Sequence, residues 1–220
     1  MSKTSQTLWS AGIALLVLTL VPFGPMLLLP LQYFNTHIHE LGHALATIGS
    51  GGDVLYIRIF EDGSGETLSR GGWLGLIAPA GYLGATLFGG WLIFAGKKED
   101  RARKALLGAA VLLGVGTLLW TRNVLGIATG IAYIAMLALA SQKLKGNSIR
   151  FVVQFLGLHQ CLASLQAVLT LYRLNSFGHA HNDAANMARA TGVPGIIWAA
   201  MWCVISAVVV FLAFRASAKT

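Results

Sequence analysis

Charge is what this sequence has least of. Only 11% of its 220 residues are Asp, Glu, Lys or Arg, against about 25% in soluble globular domains, and the deficit excludes an ordinary water-soluble fold. Cysteine is almost missing as well. Cys161 and Cys203 each lie inside an apolar run, outside any CxxC or Cys/His cluster, which excludes a disulfide scaffold and a thiolate metal site and leaves them as packing residues. No polar linker is long enough to separate two units, so residues 1–220 are expected to form a single membrane-embedded domain. A basic stripe interleaved with aromatics is also lacking. The net charge is +8, but its Lys and Arg sit in short loops between apolar runs, where cytoplasmic loops of membrane proteins concentrate them. Nucleic acid is therefore not an expected partner.

What is present is apolar: 55% of residues are hydrophobic and the mean hydropathy is +0.68. Runs approaching the ~20 residues that a helix needs to cross a bilayer lie at Leu8–Leu31, Gly72–Phe94, Ala105–Trp120, Val124–Ala140, Ile149–Leu171 and Val193–Phe214. They predict an all-α polytopic membrane protein with about six transmembrane helices. The first run follows Lys3 but exceeds the ~7–15 apolar residues of a signal peptide and has no small-x-small cleavage site, so it is read as an uncleaved span. Tyr33 to Ile48 is different, a short polar helix carrying three histidines and a glutamate. Such a segment enters a membrane only where protein or a water-filled cavity surrounds it.

Ser50-Gly51-Gly52 ends that helix. Asp53–Phe60 is rich in β-branched and aromatic residues, Glu61–Glu66 in turn formers, and Thr67–Arg70 can return as a second strand, which predicts a small β-hairpin. The spacing of Gly71 with Gly75, and of Gly126 with Gly130, suits close helix packing. Basic residues at Lys97–Lys104, at Lys143, Lys145 and Arg150, and at Arg215 and Lys219 fall on one face of a six-span bundle. The Trp120–Asn123 turn, the loop from Leu174 to Gly192 and the entrance to the histidine helix fall on the other.

The chemistry concentrates in His39-Glu40-Leu41-Gly42-His43. On a helix, His39 and His43 project from one face a turn apart and can share an ion, while Glu40 lies beside that ion without binding it. Two nitrogen ligands, an open position and a neighbouring base are what a metallohydrolase needs. Zn²⁺ lowers the pKa of bound water from 15.7 to about 7. Catalytic zinc usually takes a third protein ligand, and His179, His181, Asp183 and His37 are all chemically suitable. His159, in the middle of an apolar run, reads as a hydrogen-bonded core histidine. Arg122 and Asn123, in a turn on the same face, are candidates for stabilising an oxyanion or, more simply, for anchoring helices.

The HELGH helix, the glycine-rich hairpin with Asp62-Gly63-Ser64-Gly65 and Arg70-Gly71-Gly72, Ala78-Pro79-Ala80-Gly81-Tyr82-Leu83-Gly84, Arg122-Asn123, and Asn182-Asp183-Ala184-Ala185 running to Thr191-Gly192-Val193-Pro194 together resemble the site-2 protease family of membrane zinc metallopeptidases, in its short, membrane-core branch. The resemblance implies one Zn²⁺ per chain held by His39, His43 and Asp183, with Glu40 as the general base. It also implies hydrolysis of a membrane-protein or peptide substrate in or near the bilayer. The Asn-Pro/Asp-Gly context that surrounds the aspartate in larger relatives is missing here. Location in the plasma (inner) membrane is expected. The hairpin has two equal readings: its exposed edge at Val54–Phe60 can receive an added substrate strand, or it is a plain surface loop shielding the site. The competing readings are a catalytically silent scaffold of the same fold and, behind it, a metal transporter.

Overall fold

The computed structural model describes residues 3–176 and 182–218, with the side chains of residues 3–5, 25, 167–176 and 217–218 left out; His179 and His181 lie outside the described residues. The elements in chain order are α1 (Lys3–Leu20), α2 (Gly24–Gly49), β1 (Asp53–Ile59), β2 (Gly65–Arg70), α3 (Leu74–Ala95), α4 (Glu99–Leu119), α5 (Val124–Lys143), α6 (Gly146–Ser176), α7 (Asp183–Thr191) and α8 (Gly195–Ala218).

The first apolar run is not one span. Pro22-Phe23-Gly24-Pro25 interrupts it: proline cannot supply an interior helical N–H, but is tolerated in a first turn, and Pro25 occupies that position in α2. Gly24 allows the new helix to start against the old one, since a Cβ there would strike the Leu18 carbonyl. Nothing between Leu31 and Tyr33 breaks α2, so the histidine segment is the C-terminal part of a 26-residue helix rather than a separate short one.

Among the described residues, four helices are long and apolar enough to cross a membrane, α3, α4, α5 and α8. The chain is a membrane protein, helical apart from one two-stranded hairpin, and the expected count of six spans is not reached. The apolar part of α1, Gln6–Leu20, is too short. In α6, buried Gln154, His159, Gln160 and Ser164 dilute the hydropathy. Leu118 and Val124 at the α4–α5 end, and Val204 and Phe211 on α8, are mostly exposed, as side chains that face lipid are.

Charge caps α4. Glu99 and Asp100 lie in its first turn, where the helix dipole favours them, and pair with Arg103 and Lys104 one turn on. The basic loops gather at one end of the bundle: Arg103 donates to the Leu144 carbonyl at 3.2 Å, Arg150 Nε to that of Gly96 at 3.2 Å, and Lys97 Nζ to that of Ala216 at 2.8 Å. Of the two glycine pairs, Gly130 packs on Thr117 of α4 as expected. Gly71 instead sits at φ +71° in the turn that enters α3.

The hairpin lies along α2 with Ile57 opposite Thr67 and Ile59 opposite Gly65, and β2 starts two residues earlier than the pattern suggests. Its tip is closed by Asp62, whose Oδ1 accepts from the amide (2.9 Å) and hydroxyl (2.6 Å) of Ser64. Side-chain hydrogen bonds tie it to α2. Tyr33 donates to Glu61 O at 2.9 Å, Thr36 to Gly63 O at 2.6 Å, and Thr67 to Glu40 O at 3.1 Å. The far edge of β1 is already paired. Ile57 N donates to Trp120 O (2.8 Å), Arg122 N donates to Ile57 O (3.0 Å), and the Asn123 amide bonds both backbone groups of Ile59. The α4–α5 turn thus acts as a third strand, and the edge read as able to receive a substrate strand is closed.

Candidate metal centre

On α2 the four-residue spacing does what helical geometry requires. The rings of His39 and His43 meet edge to face with centroids 4.7 Å apart, and their Nε2 atoms lie 3.0 Å from each other. His43 Nδ1 is 2.7 Å from the Ile77 carbonyl. A carbonyl can only accept, so Nδ1 carries a proton, and Nε2 is the nitrogen left to face a metal.

The two imidazoles fit because α2 and α3 touch backbone to backbone. A Cβ at Gly42 would collide with the Ala80 carbonyl, and one at Gly81 would collide with Nε2 of both histidines. The glycine inside HELGH therefore brings α3 close, and the glycine of Ala78–Gly84 leaves room for the rings.

Asp183 arrives from 140 residues further along the chain. It opens α7, whose N-cap is Asn182, with Oδ1 accepting from Ala185 N at 2.9 Å. Ala184 and Met187 dock the short helix on Ala78, Tyr82, Ala199 and Trp202. This leaves Asp183 Oδ2 3.4 Å from His43 Nε2 and 3.7 Å from His39 Nε2.

The three donor atoms form a triangle with edges of 3.0, 3.4 and 3.7 Å. Tetrahedral zinc with bonds of about 2.0–2.1 Å requires ligand atoms about 3.3 Å apart, so the donor set fits such an ion in type and in spacing. It is the one group of three or more His, Cys, Asp or Glu among the described residues that could hold a metal.

Glu40 is buried beside this triangle and is not part of it. Its Oε2 accepts from Thr67 Oγ1 at 2.7 Å, and Gly65 leaves just enough space, since a Cβ there would lie 2.9 Å from Glu40 Cγ and Oε1. Thus β2 holds the carboxylate. All four groups line one cleft of about 1060 Å³, together with Thr67, Tyr82 and His159.

The remaining candidates serve elsewhere. His37 faces α5, with Nε2 2.9 Å from Thr129 Oγ1 and its ring against Tyr133. Arg122 bonds the Thr121 and Leu119 carbonyls and so closes the end of α4. Asn123 is committed to Ile59. Neither lines the cleft. His159 is buried as expected, but its Nδ1 has no hydrogen-bond partner among the described residues, and the ring borders the cleft. Sequence reasoning missed Thr67, Gly81 and Tyr82 as parts of the site. Gly81 and Tyr82 lie in a segment that carries the family resemblance, yet nothing in their spacing reveals their contacts.

Comparison with curated proteins and with solved structures finds no match. The Peptidase M50B-like family model, in contrast, matches residues 9–213. That stretch runs from α1 to the last turns of α8 and takes in every residue of the cleft, and the chain belongs to the Peptidase M50B-like family.

Proposed function

We propose that the chain is a membrane-embedded zinc endopeptidase. The observation that carries this reading is the convergence of His39, His43 and Asp183 on one point beside a buried glutamate that is not a ligand. The family is normally zinc-dependent. His39, His43 and Asp183 would hold the ion, which when bound supplies Lewis acidity and lowers the pKa of a water molecule.

The chain's own groups do the rest. The Ile77 carbonyl fixes His43 in the tautomer that presents Nε2. Glu40 Oε2 is oriented by Thr67, which leaves the carboxylate to take a proton from the attacking water and return it to the leaving amine. A scaffold that merely bound metal would need the ligands alone. A buried glutamate held by its own hydrogen bond favours the hydrolase.

The substrate edge is reassigned to β2. Ile57 and Ile59 turn their backbone groups away from β2, toward the α4–α5 turn, so their partners Thr67 and Gly65 occupy non-hydrogen-bonded pairs and turn theirs the opposite way. Gly65–Ser69 line the cleft. An extended peptide adding to this edge would lie beside Glu40 with its amide unshielded by helical hydrogen bonds.

Glu40→Gln and Asp183→Ala test the assignment in purified protein. The first should retain one zinc per chain and lose turnover by at least the ~10²–10⁴-fold typical of a general base. The second should lose the zinc. Full turnover in Glu40→Gln, or full zinc in Asp183→Ala, would refute it.

A further inference from the structure

His159 is a buried histidine that the mechanism above leaves without a task. It lies on α6, is 9% exposed, and borders the same cleft as Glu40, Asp183 and the β2 edge. Ala163 and Gln166, one and two turns further along α6, line that cleft with it. Steps of four and seven residues put the three on one helix face. They cover about 10 Å of helix, the length of about three residues of extended chain. The backbone beneath them is fixed. A Cβ at Gly157 would lie 2.7 Å from the Gly89 carbonyl and 2.8 Å from Leu92 Cβ, so α6 presses directly on α3 two residues before the ring.

The ring's Nδ1 is fully buried and has no hydrogen-bond partner among the described residues. An imidazole carries a proton on one nitrogen or on both. A buried N–H without an acceptor is the costlier orphan, and a bare lone pair the cheaper one. The proton therefore sits on Nε2. Because Nδ1 is closed off, the Nε2 edge is the part of the ring left to meet the cleft. The fold gains nothing from this arrangement, since an apolar side chain of similar size would fill the space without an unpaired nitrogen.

A substrate strand has the converse need. Bonded through one edge to β2, it leaves the N–H and C=O groups of its other edge unpaired, and each one held away from water costs free energy. The α6 face is a wall of that cleft, and His159 supplies a donor on it. The polar contacts of His39, His43, Asp183 and Glu40 are with one another, with Ile77 and with Thr67. His159 is in none of them, which separates it from the reacting centre.

We propose that His159 is a substrate-binding residue whose Nε2–H donates to a backbone carbonyl of the extended chain, on the edge that β2 does not use and away from the bond that is cleaved. The proposal rests on the peptidase reading above, and its test lets the two fail separately.

The test compares His159→Leu and His159→Gln in zinc-loaded full-length protein in detergent, with fluorescein-labelled casein, an unfolded chain, as substrate. Leucine removes the donor and fills the space, whereas glutamine returns an N–H near the position of Nε2. His159→Leu should raise KM about 3- to 10-fold, the worth of one hydrogen bond. Its kcat should not change, because a carbonyl that does not react is bound equally in the ground and transition states. It should keep one zinc per chain and melt no lower than wild type. His159→Gln should bring KM back toward the wild-type value. An unchanged KM in His159→Leu overturns the proposal, and so does a KM in His159→Gln as high as in His159→Leu. Lost zinc or a lower melting midpoint in His159→Leu also overturns it, by making the ring structural. A reduced kcat at unchanged KM does the same, by placing the donor on the reacting carbonyl. Wild-type protein that holds zinc but cleaves no casein would instead remove the peptidase reading, and this proposal with it.

Discussion

Adding one methyl group to Gly81 should empty the metal centre. A Cβ there would lie 2.5 Å from His43 Nε2 and closer still to His39 Nε2, where ordinary van der Waals contact begins near 3.4 Å. The rings would have to retreat by about 0.9 Å, against a tolerance of about 0.2 Å in metal–ligand distances. Neither helix can give way. The Ala80 carbonyl is already pressed against Gly42, and His43 is pinned on its far side by Ile77. In Gly81→Ala, zinc affinity should therefore fall by more than the ~10- to 100-fold typical of outer-sphere changes, and proteolysis should vanish. Overpacking should cost about 1–3 kcal/mol, partly offset by the ~1 kcal/mol that alanine gains over glycine in a helix, so the bundle should stay folded by circular dichroism. Gly90→Ala is the matched control on the same helix, because its Cβ would meet only Ala213 and Val209 at 3.4 Å and beyond. Measured by metal analysis after gel filtration, one zinc per chain in Gly81→Ala with wild-type affinity would refute both the geometry and the ligand assignment.

Thr67→Val removes the hydroxyl that orients Glu40 and nothing that touches the ligands. It should lower kcat while leaving zinc stoichiometry unchanged, as read by peptide cleavage beside metal analysis. Asn123→Ala strips both backbone groups of the buried Ile59 of their partner, which should destabilise the fold by about 1–3 kcal/mol in a denaturation series, again with zinc retained. At the hairpin tip, the hydroxyl and amide of Ser64 hold the Asp62 carboxyl below its ordinary value. A depressed folded-state pKa stabilises the tip above the unfolded value and is lost as pH falls through the folded one. Exchange of the Ser64 amide should accordingly quicken only at acid pH below the ordinary carboxylate range, and Asp62→Asn should abolish that dependence.

The parts of the site that were legible in the sequence are those fixed by local periodicity. The four-residue spacing of His39 and His43 dictates a shared face on any helix, and the β-branched run at Asp53–Ile59 followed by glycines dictates a hairpin. The first helix was misread because hydropathy measures composition. Leu8–Leu31 is apolar throughout, whereas the break at Pro22–Pro25 depends on which backbone positions need an N–H. The covered edge of β1 was invisible for another reason. Its partner, Thr121, lies 64 residues away from Ile57 in a turn whose residues show no strand pattern, so only the folded chain reveals that one edge is used and the other is free.

The same distinction explains how the centre is built. The two histidines and Glu40 come from one turn of one helix and are positioned by local geometry, with α3 pressed close enough to prevent their rotation. Asp183 and the β2 edge come from elsewhere and depend on docking, Asp183 through Ala184 and Met187 and β2 through the Thr36 and Thr67 bonds to α2. On the proposed function, a site buried among apolar helices must exclude lipid yet leave one face open for an extended chain. Placing the rigid ligand pair on the helix crossing, and the third ligand and the strand edge on separately docked pieces to either side, leaves a cleft between those pieces. Glu40 lies in that cleft, between the metal ligands and the free edge, where a base has to stand if it is to serve both the water and the departing amine.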